Sequence, residues 1–185
     1  MIRKATYDDI PVLMDIFRKA KEIMRGCGNM HQWNDSYPSE EIVRKDIDEG
    51  YCYVLCDESR IIATMAFIPG PDPTYAYIEG RWLDERPYHV IHRIAAAEPG
   101  HKAAERLLEW SFTQTDCIRI DTHKDNVIMH HILTKYGFSH CGRIFLANGD
   151  PREAYEYSYF LKRSGAISRS DLLQVRNSCA VPSDT

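Results

Sequence analysis

No stretch of this 185-residue chain approaches the ~18 consecutive apolar residues that a bilayer-spanning helix requires. The N-terminus, Met1-Ile-Arg-Lys-Ala5, runs straight into a strand-like segment where a secretory leader would carry an apolar core. Neither a membrane partner nor export is expected, and a cytoplasmic location follows. Excess positive charge is also missing: Lys and Arg number 23 against 27 Asp and Glu, and the formal net charge is -4. With a pI near 6.1, composition offers no footprint for nucleic acid. The six cysteines form no CxxC pair, and neither they nor the eight histidines fall at a metal-ligand spacing. No metal is expected, and Cys52, Cys117 and Cys141, inside strand-like runs, read as small hydrophobes with free thiols. Internal repeats and low-complexity blocks are lacking as well.

What remains is an ordinary globular composition, 44% hydrophobic and 27% charged, at a length that suits one core. Residues 1–160 are expected to form a single domain. Residues 161–185 are polar and serine-rich with a short apolar patch at Leu172, Leu173 and Val175, a tail expected either to lack order or to fold against a partner. Thr6 and Asp9 make a T-x-x-D start signal, after which Ile10, Leu13, Met14, Phe17, Ala20 and Met24 recur at helical spacing until Gly26 and Gly28. A polar loop from Asn29 to Pro38 carries Trp33 and Tyr37, and a short helix then opens at Ser39. Tyr51–Cys56 and Ile61–Ile68 read as a hairpin across Asp57–Arg60, and Tyr75–Glu79 as a further strand.

The most informative region begins at Tyr88–Ala97, a strand apolar enough for burial on both faces. A turn at Gly100 leads to a helix marked by Leu107, Leu108, Trp110 and Phe112, and Cys117–Thr122 is the strand reached by the crossover. A helix from Asn126 is stopped at Gly137, and strands Ser139–Phe145 and Ala154–Phe160 turn at Asn148-Gly149. This is a βαβα unit with a helix N-terminus free to receive an anion.

The block Asn126-Val-Ile-Met-His-His-Ile-Leu-Thr-Lys-Tyr-Gly-Phe138, together with Ile91–Ala97, resembles the GNAT superfamily of acyl-coenzyme A dependent N-acetyltransferases, over roughly Ile2 to Phe160. The resemblance implies an α/β (α+β) fold. Its central sheet would be mixed and mostly antiparallel, with six to seven strands splayed at the cofactor strand and about four flanking helices. It implies acetyl-coenzyme A as co-substrate. Ile94, Ala95 and Ala96 would present backbone to the pantetheine arm; Gly100, His101, Lys102, Ala103 and Ala104 would hold the diphosphate, and Asn126 would bond the cofactor. A plain buried strand and an ordinary helix N-cap account for Ile94–Ala96 and Asn126 equally well. Three positions depart from the pattern, the first being Pro99 at the Gln or Arg position of the diphosphate turn. Lys102 stands where a glycine lets backbone close on phosphate, and Leu133 stands where a tyrosine often protonates the departing thiolate.

Direct transfer needs a neutral amine, while an alkyl ammonium keeps its proton up to about pH 10.4. Glu79, His92 and His123 are the candidate general bases. Each has a structural reading beside it: a solvated surface carboxylate, a core histidine sharing a face with Val90 and Ile94, and a loop cap. Trp33, Tyr37 and Tyr77 are the candidate acceptor contacts. The expected activity is acetyl transfer to a primary amine of a small molecule or peptide, by direct attack in a ternary complex. The alternative is a GNAT-shaped module that binds acyl-coenzyme A without catalysis. A homodimer is one arrangement the resemblance allows.

Overall fold

The computed structural model describes residues 1–99 and 101–163; the expected phosphate contact Gly100 and the tail from 164 to 185 lie outside the described residues. Helix α1 (Ile10–Gly26) buries Ile10, Leu13, Ile16, Phe17 and Ala20 along one stripe, as its helical periodicity requires. The T-x-x-D signal serves a 3-10 turn at Tyr7–Asp9 that leads into α1, with Asp9 accepting from the Thr6 amide at 2.8 Å and from Arg3 at 2.7 Å. Helix α2 (Glu40–Asp48) opens at Ser39, whose hydroxyl accepts from the Ile42 amide at 3.3 Å.

The strands are β1 (Ile2–Lys4), β2 (Cys52–Asp57), β3 (Arg60–Pro69), β4 (Glu79–Gly80), β5 (His89–Ala96), β6 (Cys117–Thr122), β7 (Ser139–Phe145) and β8 (Pro151–Ser158). They form one eight-stranded sheet in the order β1-β2-β3-β5-β6-β8-β7-β4. Every neighbouring pair is antiparallel except β5 and β6. Helices α3 (Ala103–Ser111) and α4 (Val127–Lys135) bury Leu107, Leu108 and Leu133 against Met65, Phe67, Ile91, Ile118 and Ile120. The alternate residues Cys52, Val54 and Cys56 pack with α1 and α2, so the helix pairs cover opposite faces.

Three expectations are corrected. The sheet gains an eighth strand because Glu79–Gly80 pairs with β7, and Tyr75 belongs to a 3-10 turn (Pro73–Tyr75) instead of a strand. At that edge Gly80 and Gly142 face each other with φ +135° and +138°, and a Cβ on Gly142 would lie 2.1 Å from the Glu79 carbonyl oxygen. Finally, β8 ends at Ser158 and Tyr159–Arg163 forms a fifth helix, α5, where the sequence reads as continuing strand. Among the described residues no helix is long and apolar enough to cross a membrane. Cys52, Cys117 and Cys141 are buried and free, and burial pushes the Cys52 thiol up to about 11, which keeps it protonated.

Candidate active site

Strands β5 and β6 run together for three residue pairs, His89 with Ile118, Val90 with Arg119 and Ile91 with Ile120, and then part. Past that fork β5 stays with β3 through Thr64–Ala95 and Ala63–Ala96, while β6 stays with β8 through Asp121–Ala154 and Thr122–Glu153. A bulge drives the separation. His92 pairs with Ala66 and Ala95 with Thr64, so Arg93 and Ile94 together oppose Met65, and Arg93 takes φ +53°. The added residue bends and twists the strand. It also corrects half of the expected strand face: His92 stays on the face of Val90, beside Tyr75, while Ile94 packs into the α3 side.

The wedge leaves the β6-facing edge of Ile94, Ala95 and Ala96 outside any ladder, open to a ligand's backbone-like groups. At the start of α3, the first intrahelical bond runs from the Arg106 amide to the Lys102 carbonyl at 2.9 Å. The amides of Ala103, Ala104 and Glu105 therefore have no partner within the helix, an arrangement that can receive an anion. Lys102 holds φ +48°, so the lysine adopts the left-handed conformation that a glycine would take without strain. Its side chain is exposed, as is that of His101. Asn126 caps α4 by accepting from the Met129 amide at 3.1 Å and donates to Gln32 Oε1 at 2.8 Å.

His92 is the expected base that lies at the fork. Its Nε2 is 2.8 Å from Asp72 Oδ2, and its Nδ1 is 3.9 Å from Asp121 Oδ1. Burial pushes the Asp72 carboxyl up, but the hydrogen bond and charge of His92, with the Thr74 amide at 2.8 Å, outweigh it and hold Asp72 below the ordinary carboxylate range. When the ring is neutral, an ionised Asp72 assigns its proton to Nε2 and the lone pair to Nδ1. Asp121 in turn accepts from the Tyr75 hydroxyl at 2.7 Å. Tyr75 is 2% exposed, and burial raises its phenol well above the usual range, so it stays a donor. Sequence reasoning missed Asp72, Asp121 and Tyr75. The signals were an aspartate between two prolines and an aspartate near the end of β6.

The other candidates fall elsewhere. His123 lies at the end of β6, where Nδ1 accepts from the Asp125 amide at 3.3 Å; burial, then Arg152, lowers its pKa. Glu79 is exposed on edge strand β4, with β7, β8 and β6 between it and β5. Four strand spacings of ~4.8 Å put it roughly 19 Å away, so the fold does not bring it to the fork. Trp33 packs edge-on against Phe17 and Tyr37, and the Tyr37 hydroxyl accepts from Arg93 at 3.3 Å. Tyr77 is 64% exposed beside Phe145, near the same far edge as Glu79. Leu133 is fully buried in the α4 core, and Tyr136 donates to Glu109 at 3.0 Å on the helical surface.

Asp72 and Tyr75 also line an open cavity of about 640 Å³, with Trp82, Asp84, Tyr88 and Arg119 among its walls. That volume lies in the range of small-molecule sites. Arg119 is clasped between the rings of Trp82 and Tyr88, at 4.2 and 3.9 Å, and donates to the Asp84 carbonyl at 2.7 Å. Behind it Glu156, fully buried, accepts from the Leu83 amide at 2.7 Å and the Cys117 thiol at 3.0 Å.

No protein-family model matches this sequence, and no curated protein does either. Solved structures do. A GNAT-family acetyltransferase from Streptococcus agalactiae 2603 is 32% identical, with a TM-score of 0.78 over 85% of this chain and 94% of that one. An acetyltransferase structure from Staphylococcus aureus Mu50 is 22% identical, with a TM-score of 0.63 over 86% of this chain and 99% of that one. The NatC complex bound to Gag peptide and CoA shares the fold at 14% identity, with a TM-score of 0.56 over 85% of this chain and 97% of the matched one. With its forked strand pair, its free helix start and a relative of this identity along nearly its whole length, the chain belongs to the GNAT family of acetyltransferases.

Proposed function

We propose that this protein transfers an acetyl group from acetyl-coenzyme A to a primary amine, with His92 as general base. The observation that carries the reading is a histidine at the fork of β5 and β6 with one nitrogen committed to Asp72 and the other, 3.9 Å from Asp121, without a hydrogen bond among the described residues. The residues of the wedge suit the carrier. Ile94–Ala96 would line the pantetheine arm, and the amides of Ala103 and Ala104 with the Lys102 ammonium would take the diphosphate, each such charge or dipole contributing on the order of ~1 kcal/mol. When bound, the carrier supplies a thioester carbonyl and a sulfur leaving group whose thiol pKa, near ~8.5, makes its departure tolerable without the family tyrosine.

The chain's own residues handle the proton. Asp121 attracts the acceptor as its ammonium ion, and His92 Nδ1 removes the proton that blocks attack. Asp72 fixes the imidazole ring and stabilises the imidazolium that forms, in the manner of a base oriented by a buried carboxylate. The cavity beside Asp72 and Tyr75 receives the body of a small-molecule amine. The test is release of free thiol from acetyl-coenzyme A across a panel of small amines and peptides, for wild type and His92→Ala. The expected result is amine-dependent release that falls roughly 10²- to 10⁴-fold in the variant. Thiol release indifferent to amine, or an undiminished His92→Ala rate, rejects the proposal.

A further inference from the structure

Arg93 presents a problem that the proposed chemistry does not answer. It sits in the bulge at φ +53°, a left-handed conformation that strains any residue but glycine, next to the base and at the point where β5 leaves β6. The same guanidinium reaches across to α2 and makes a bidentate pair with Asp46, Nε to Oδ2 at 2.8 Å and Nη2 to Oδ1 at 2.7 Å. A third contact runs from Nη1 to the Tyr37 hydroxyl at 3.3 Å, on the loop that follows α1. Both charged side chains are nearly enclosed, 11% and 8% exposed. Breaking such a pair from one side leaves a buried charge without its partner, a larger cost than the backbone strain. The pair therefore has the strength to hold a bulge that the backbone alone disfavours.

The location gives this anchor a consequence beyond stability. Two residues of β5 oppose Met65 alone only while the bulge persists; without it, Ile94–Ala96 would continue the register that brings Ile91 opposite Ile120 and close the wedge. We infer that Arg93 and Asp46 are positioning residues that hold the cofactor strand open, and that Tyr37 ties the loop after α1 to the same anchor. This rests on the acetyl-coenzyme A reading for its functional readout, but the geometry it asserts can be measured without any ligand.

Arg93→Met with Asp46→Leu removes the anchor without leaving a buried charge unpaired and keeps a side chain strained at φ +53°, whereas Arg93→Gly with Asp46→Leu removes anchor and strain together. Coenzyme A affinity by calorimetry, KM and kcat for acetyl-coenzyme A, thermal melting and amide exchange at Ile94–Ala96 would be compared with wild type. The expected outcome for Arg93→Met with Asp46→Leu is a folded protein whose coenzyme A affinity falls roughly 10-fold or more, with KM rising beyond any change in kcat and slower exchange at Ile94–Ala96 as the strand closes on β6, while Arg93→Gly with Asp46→Leu is expected to lose less. Should the first double variant fail to fold, Asp46→Asn weakens the same pair and is expected to shift affinity and exchange in the same direction. A folded Arg93→Met with Asp46→Leu, or a folded Asp46→Asn in its place, with wild-type affinity and unchanged exchange overturns the inference. If wild type itself does not bind coenzyme A, the transferase reading fails, while altered exchange in the variant still supports the anchor and unaltered exchange rejects it.

Discussion

Two polar networks occupy the same face of the sheet only a few residues apart along β6, and they are built to opposite ends. Arg119 and Glu156 are enclosed by two aromatic rings, the Asp84 carbonyl, the Leu83 amide and the Cys117 thiol, and Arg119 Nε lies buried 3.7 Å from Glu156 with no hydrogen bond among the described residues. They fasten the segment after β4 to the sheet. His92, Asp72 and Asp121, centred two residues further along β6 at Asp121, are partly open over the buried Tyr75, and Nδ1 of His92 has no hydrogen-bond partner among the described residues. The difference teaches where to look for chemistry: a titratable group acts on a substrate only if its neighbours leave it a lone pair to use.

Removing a group from each network breaks the comparison in different observables. The largest effect is expected for Glu156→Ala, which leaves Arg119 buried without its carboxylate 3.7 Å away and should cost roughly 3–5 kcal/mol in denaturant unfolding. Asp72→Asn should leave the unfolding midpoint close to wild type while lowering kcat/KM by about 10² or more, because the amide no longer stabilises the imidazolium. If Asp72→Asn unfolds the protein as severely as Glu156→Ala, the two networks do not differ in kind.

Acid sharpens the contrast further. The Arg86 hydrogen bond holds Asp84 at about 2 against an ordinary 3.8, so in the folded state the carboxylate outlasts its unfolded counterpart. Its contribution is full above pH ~4 and is lost as pH falls toward ~2, roughly 1–2 kcal/mol after allowance for the solvent around Arg86. Asp72 is lowered too, so its contribution disappears in the same direction. Urea midpoints between pH 5 and 2 should fall less steeply in Asp84→Asn than in wild type. The smallest effect, a reference outside both networks, is Lys102→Gly: relief of the left-handed strain should raise stability by about 1 kcal/mol, a few degrees in melting temperature, with neither network changed.

Much of the architecture was legible because local pattern and final environment agree. Cys117–Thr122 and Ser139–Phe145 have the same bounds in sequence and structure, since alternating apolar residues specify both the strand and its buried face. Of the strand expected at Tyr75–Glu79 only Glu79 is in a strand, and the Glu79–Gly80 pairing was not legible because only the facing Gly142 makes that backbone approach favourable. Within the site, the fork could be anticipated from the motif around Asn126. The bulge could not, because Arg93 carries no local preference for a positive φ and is held there by Asp46, 47 positions away in the chain.

By itself the sequence determined the order of elements, the apolar faces that pair them and the presence of a histidine in the strand that forks. Those are properties of residues close together in the chain, and periodicity records them. Only the tertiary structure decided that His92 meets Asp72 and Asp121, that Glu79 does not, and that Arg93 is fastened to Asp46. Hydrogen bonds and ion pairs depend on a few tenths of an ångström between groups far apart in sequence, and that distance is set by the packing of the whole sheet.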